Sequence, residues 1–142
     1  MVICASTYQK IMNSYPIVPP ENGGIIGGMN GVVNAYYHDN TEQDQSCAVY
    51  LPNIVVLNQK ITSWSQSGID FMGIIHSHPT TQIDLSSSDI DYITHIMANV
   101  PYNINYLYFP IAIPNNMLYS YIALRCDSGI QIKSDEIKII QF

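Results

Sequence analysis

Apolar and polar positions follow two different periods along this chain, and each change of period marks an element. Residues 2–5 suit a short strand. Tyr8, Ile11, Met12 and Tyr15 then recur at helical spacing, which predicts a helix over residues 7–14 with Ser6 and Gln9 as a capping box and Pro16, Pro19 and Pro20 ending it. The glycine-rich apolar run 23–28 reads as a strand that something approaches closely. Runs 31–38 and 46–51 read as two strands joined as a hairpin by the polar loop 39–45, with His38 a surface residue at a strand end.

Asn53 is placed to cap a second helix whose stripe is Ile54, Leu57, Ile61 and Trp64, and Gly68 is placed to stop it. Residues 69–75 follow as a buried strand. A third helix is expected from Ser86, burying Ile90, Ile93, Met97 and Val100 and leaving Asp91 and His95 outside as a surface pair. Beyond Pro101, runs 104–113, 118–126, 130–133 and 137–142 read as strands, with turns at Asn115-Asn116 and Asp127-Ser128-Gly129. With no repeat, linker or low-complexity tract, the pattern predicts one mixed α+β domain over residues 1–142, a sheet with two helices ahead of residues 74–89 and one after.

That stretch, IIHSHPTTQIDLSSSD, carries the candidate chemistry. An apolar strand ends in two histidines, a proline stops it, a polar loop follows, and a helix begins. Residues two apart on a strand share a face, so His76 and His78 can converge on one ion while Ser77 points the other way. Asp89, in the first turn of the helix, comes within reach of the same spot, and the helix dipole there favours its charged form. Two imidazoles and a carboxylate are the ligand set of an open zinc site, with the fourth position left for water.

Composition narrows the partners. Of 142 residues 47% are hydrophobic, enough for a core, but only 11% are charged, so Asn, Gln, Ser, Thr and Tyr must supply the polar surface. A surface so weakly charged suits packing against a partner, whether a second copy or another protein. Five basic against 11 acidic residues give a net charge of −6 with no basic cluster, which leaves nucleic acid binding without an electrostatic footprint. Cys4, Cys47 and Cys126 are odd in number and contain no C-x-x-C pair, as expected of small buried residues in a reducing cytosol. The apolar start is too short for a signal-peptide core and no run reaches membrane-spanning length, so a cytoplasmic location is expected.

The series His76-x-His78-Pro79, then Ser86, then Asp89, resembles the JAMM motif of the MPN-domain metallopeptidases, and Glu21-Asn-Gly-Gly24-Ile-Ile-Gly27 is similar to the family's upstream Glu ahead of a G-x-x-G strand. The resemblance covers nearly the whole chain. It implies an MPN-like (cytidine-deaminase-like) fold, a mixed, curved β-sheet flanked by about three helices. It implies one Zn2+ per chain on His76, His78 and Asp89, with Glu21 as general base and Ser86 holding the oxyanion. The activity implied is hydrolysis of an isopeptide or peptide bond after the C-terminal tail of a ubiquitin-like protein, in deconjugation or precursor processing. Short connections around the motif are similar to those of small prokaryotic members. Two alternatives keep the same fold: a non-catalytic MPN scaffold, and a metal hydrolase acting on a sulfur-carrier or small amino-acid adduct.

Overall fold

The structure, a computed structural model, describes residues 1–15, 21–43, 50–78, 82–115 and 117–141. In chain order its elements are strand β1 (Val2–Cys4), helix α1 (Ala5–Met12), strands β2 (Gly23–Met29) and β3 (Val32–His38), helix α2 (Ile54–Gln66), strand β4 (Asp70–Ser77), helix α3 (Ser87–Asn99), and strands β5 (Tyr106–Tyr108), β6 (Ile111–Ala112), β7 (Leu118–Cys126), β8 (Gly129–Asp135) and β9 (Lys138–Ile140). Among the described residues the strands form one mixed sheet in the order β5-β7-β6-β4-β2-β3-β1-β9, with β8 beside β7 and a further contact of β5 with β4. The expected α+β class with three helices is what forms. No helix among the described residues is long and apolar enough to cross a membrane.

Strand alternation sorts the side chains into two cores. Ile26 and Ile75 face α1, where they pack with Ile3, Ile11 and Val33. Ile25 and Ile74 face the other way, against Leu57 and Trp64 of α2 and Ile93 and Met97 of α3. Asn53 caps α2 by accepting from the Val56 N–H at 3.2 Å. Gly68 ends it with φ +75, and the bonds Gly68 N to Ser65 O and Ile69 N to Trp64 O complete a Schellman closure. At Gly73 a Cβ would lie 1.9 Å from the Tyr108 carbonyl oxygen, so only glycine lets β5 lie this close to the middle of β4.

Several expectations change. Helix α1 begins at Ala5, directly after β1, and its N-cap Cys4 makes no side-chain cap bond, so the Ser6–Gln9 box does not form. The hairpin is β2 with β3, turning through Asn30 and Gly31 with φ of 53 and 76, a geometry that suits a tight primed turn. β3 then has β1 on its other side, Tyr50 and Leu51 lie outside any strand, and the rest of the expected 46–51 strand falls outside the described residues. The run 104–113 splits into β5 and β6 around Phe109 and Pro110, where proline lacks the N–H a ladder needs. Ile90 is 43% exposed and Ile54 53%, so α2 and α3 bury narrower faces than their stripes suggest. No ion pair joins Asp91 to His95 among the described residues.

Candidate metal centre

Two neighbouring strands and the start of a helix build the site. β4 runs antiparallel to β2, with Gly23 opposite His76 and Gly24 opposite Ile75. This register places residues before Gly23 alongside the histidines at the end of β4. Ser86 caps α3 in a reciprocal box: its Oγ accepts from the Asp89 N–H at 3.1 Å, and Asp89 Oδ2 accepts from the Ser86 N–H at 2.8 Å. The box turns the Asp89 carboxylate back over the histidines.

His76 Nε2 and His78 Nε2 lie 2.8 Å apart, and each is 3.2 Å from one oxygen of Asp89, Oδ1 for His76 and Oδ2 for His78. Glu21 joins from β2's leading end, its carboxylate within 4.8 Å of the histidine nitrogens. Glu21, His76 and His78 form a group able to hold a metal ion, and Asp89 faces the same two nitrogens. His78 is 3% exposed and forms the floor, while Glu21, His76 and Asp89 reach the adjoining groove. The structure thus brings together all four charged or imidazole side chains that the sequence singled out, with Ser86 beside Asp89.

The donor chemistry fits a cation. A carbonyl oxygen only accepts, so His78 Nδ1, 2.9 Å from the Gln82 carbonyl, is the donor there, and the lone pair of neutral His78 sits on Nε2. That lone pair then faces another imidazole nitrogen and a carboxylate, which suits a cation shared among them; with no metal bound, a proton on Nε2 supplies the positive charge. Separations of 2.8–3.2 Å are slightly tighter than the edge of about 3.3 Å that tetrahedral ligands at ~2.0–2.1 Å from zinc would span.

Burial alone would raise the Asp89 pKa, but hydrogen bonds and charge from His76 and His78, with the Ser86 N–H, hold it far below the carboxylate range. Burial would lower that of His78, yet Asp89, the Gln82 carbonyl and Glu21 outweigh it and the pKa is raised. Glu21 is raised too, chiefly by burial and also by the charge of Asp89, against lowering by both histidines and the Tyr50 backbone N–H.

A groove of about 210 Å³ opens beside these groups, polar at the Glu21, His76 and Asp89 end and walled by Leu51, Ile74, Tyr92 and Phe109. A second hollow of about 360 Å³ between α2 and α3 shares Ile74 and Tyr92 with it. The hydroxyl of Tyr92 is buried without a hydrogen-bond partner among the described residues, and burial pushes its pKa up to about 12. Across the groove Tyr50 donates its hydroxyl to Asp39 Oδ2 at 2.7 Å. Strand alternation alone could not mark Tyr50, Tyr92 or Asp39, because their roles arise from contacts between distant segments.

His38 is not a plain surface residue. It is half-buried, with Nδ1 3.1 Å from the Tyr36 hydroxyl and its ring 5.4 Å from that of Tyr15. Asp84 lies in the loop between the ligands, and the Tyr121 hydroxyl donates to the neighbouring Ile83 carbonyl at 3.0 Å.

The α+β sheet thus presents a two-histidine, two-carboxylate cluster at one strand end. The chain matches a solution structure of a protein from Desulfitobacterium hafniense at a TM-score of 0.71 and 20% identity, covering 99% of this chain and 93% of that one. It matches the crystal structure of a JAB1/MPN domain protein from Archaeoglobus fulgidus at 0.57 and 15%, covering 99% of each. A protein from Salinibacter ruber strain DSM 13855 matches at 0.57 and 14%, covering 99% and 92%. No family model matches the sequence. No curated protein matches it either. The fold is therefore MPN-like, established by structure at sequence identities too low to carry activity across.

Proposed function

We propose that this chain is a zinc-dependent hydrolase of the JAMM type, cleaving the isopeptide or peptide bond that follows the C-terminal tail of a ubiquitin-like protein. The observation that carries this reading is the convergence of His76 Nε2, His78 Nε2 and the Asp89 carboxylate within 3.2 Å, with Glu21 at the edge of the same cluster. An MPN-like fold supports it. A groove with one polar, acidic end and apolar walls suits an extended tail entering by its C-terminus.

His76, His78 and Asp89 would hold the zinc. When bound, zinc lowers the pKa of a coordinated water to about 7 and polarises a carbonyl oxygen. The chain's own groups do the rest. Glu21 accepts the proton of the attacking water on a carboxylate oxygen and delivers it to the leaving amine nitrogen. Ser86 Oγ accepts from the Asp89 N–H, which leaves its own O–H to donate to the scissile carbonyl oxygen as negative charge grows there. Such a donor is worth about 3 kcal/mol. His78 is kept in one tautomer by the Gln82 carbonyl, and Asp89 is held against it by the Ser86 N–H.

The test is a panel of ubiquitin-like fusions, ubiquitin-like conjugates and small peptide or sulfur-carrier adducts, incubated with zinc-loaded wild type and with Glu21→Gln. Cleavage after a ubiquitin-like tail by wild type, abolished in Glu21→Gln while zinc is retained, is the expected result. Turnover unchanged in Glu21→Gln would remove Glu21 as the base, and cleavage confined to small adducts would replace the substrate class.

A further inference from the structure

Ser77 stands between the two histidines, faces away from them and has no part in the chemistry above. It is nevertheless a polar side chain only 3% exposed, and a buried hydroxyl needs a partner to offset its desolvation. Its partner is Asn22, the residue next to Glu21. Asn22 N–H donates to Ser77 Oγ at 2.9 Å, and Ser77 N–H donates to the Asn22 carbonyl at 2.8 Å. Both main-chain groups of Asn22 are thus tied to one residue of the ligand-bearing strand.

The geometry is a modified ladder. Gly23 lies opposite His76, so Asn22 would be the next residue to pair, opposite Ser77. In a regular antiparallel pair the two residues exchange N–H and carbonyl bonds. Here one half of the exchange is present, Ser77 N–H to the Asn22 carbonyl, while the Asn22 N–H is taken by the serine hydroxyl. β2 starts only at Gly23, so the chain leaves the regular ladder at the point where this side chain intervenes. The step before Asn22 is Glu21, and its carboxylate falls beside His76 and His78 on the other face.

We infer that Ser77 is a positioning residue for Glu21: its hydroxyl sets the path of residue 22 and so places the base at the distance from the histidine pair that proton transfer requires. The inference rests on the hydrolase reading. It adds that the end of β4, where Ser77 stands between His76 and His78, also carries the fixing point of the base, so that the separation of Glu21 from the two histidines is set at one strand end. Without the hydroxyl, the Asn22 N–H has the ladder carbonyl as its alternative acceptor, and Glu21 shifts with it.

The experiment compares wild type, Ser77→Ala, Ser77→Thr, Glu21→Gln and the Ser77→Ala/Glu21→Gln double variant on the conjugate that wild type cleaves, with zinc content measured in each. A small displacement of a reacting group costs roughly ten- to hundredfold in rate. Ser77→Ala should therefore lower kcat by about that factor with KM and zinc content unchanged, and Ser77→Thr, which keeps the hydroxyl, should recover most of it. Whatever residual rate Glu21→Gln retains should be unchanged by adding Ser77→Ala, because Ser77 acts only through Glu21. A kcat for Ser77→Ala within about twofold of wild type overturns the inference alone. So does a loss of rate that tracks loss of zinc. Failure of wild type to cleave any conjugate overturns the hydrolase reading and this inference with it.

Discussion

Asp39 Oδ2 accepts hydrogen bonds from both the Tyr50 hydroxyl at 2.7 Å and the Asn53 N–H at 3.0 Å, and so one carboxylate fixes a wall of the groove and the start of α2 together. Oδ1 takes the Thr41 N–H at 3.0 Å. The side chain stands at the end of β3, on a residue 1% exposed whose own N–H donates to Gly23 O. Burial would raise the Asp39 pKa, but these donors outweigh it and the pKa is lowered.

A lowered carboxylate pKa in the folded state contributes stability above the unfolded value of about 3.9, and that contribution is lost as pH falls through the folded value. Asp39→Asn should cost about 1.5–3 kcal/mol at neutral pH, the range for hydrogen bonds to a charged group. Chemical denaturation across pH checks this. The gap between wild type and Asp39→Asn should shrink as pH drops below about 4, because wild type loses its advantage there. A gap that stays constant would mean the charge contributes nothing.

Tyr92 gives the opposite sign. Its hydroxyl is buried and unpartnered among the described residues, and an unmet polar group is a cost to the fold. Tyr92→Phe should raise stability by roughly 1 kcal/mol and the thermal midpoint by about 3–5 °C. A lower midpoint would show that the hydroxyl has a partner, water included.

Gly23 lies where the groove wall meets β4. A Cβ there would fall 2.3 Å from the Tyr50 ring and 2.6 Å from the Ile75 carbonyl oxygen, and the carbonyl belongs to the central sheet and yields little. Gly23→Ala should destabilise by about 1–3 kcal/mol and displace the Tyr50 ring from the groove wall. Thermal unfolding reads the first effect, and an unchanged midpoint would mean that β2 can shift freely at this point.

The legible parts of the fold and site are local. His76 and His78 could be placed on one face because strands repeat every second residue. Ser86 and Asp89, three apart, announced both a helix cap and a nearby carboxylate. Glu21 entered only through its resemblance to a family pattern, since nothing in its neighbourhood links it to residues 55 and more positions away. The same distance hid the bond between Ser77 and Asn22. The misplaced hairpin has a related cause: two apolar runs with a polar loop between them satisfy the pattern for 31–38 and 46–51, yet Asn30-Gly31 made the tighter turn and gave β3 to β2. Ile90 kept the apolar spacing of α3 but not its burial, because the sheet covers only the Ile93 and Met97 side of the helix.

The central claim is a metal held by His76, His78 and Asp89, and elemental analysis of purified protein tests it without any assumption about substrate. Wild type prepared without chelator should carry about one zinc per chain, and Asp89→Ala should lose it while remaining folded by circular dichroism. No zinc in folded wild type, even after supplementation, would contradict the account at its root.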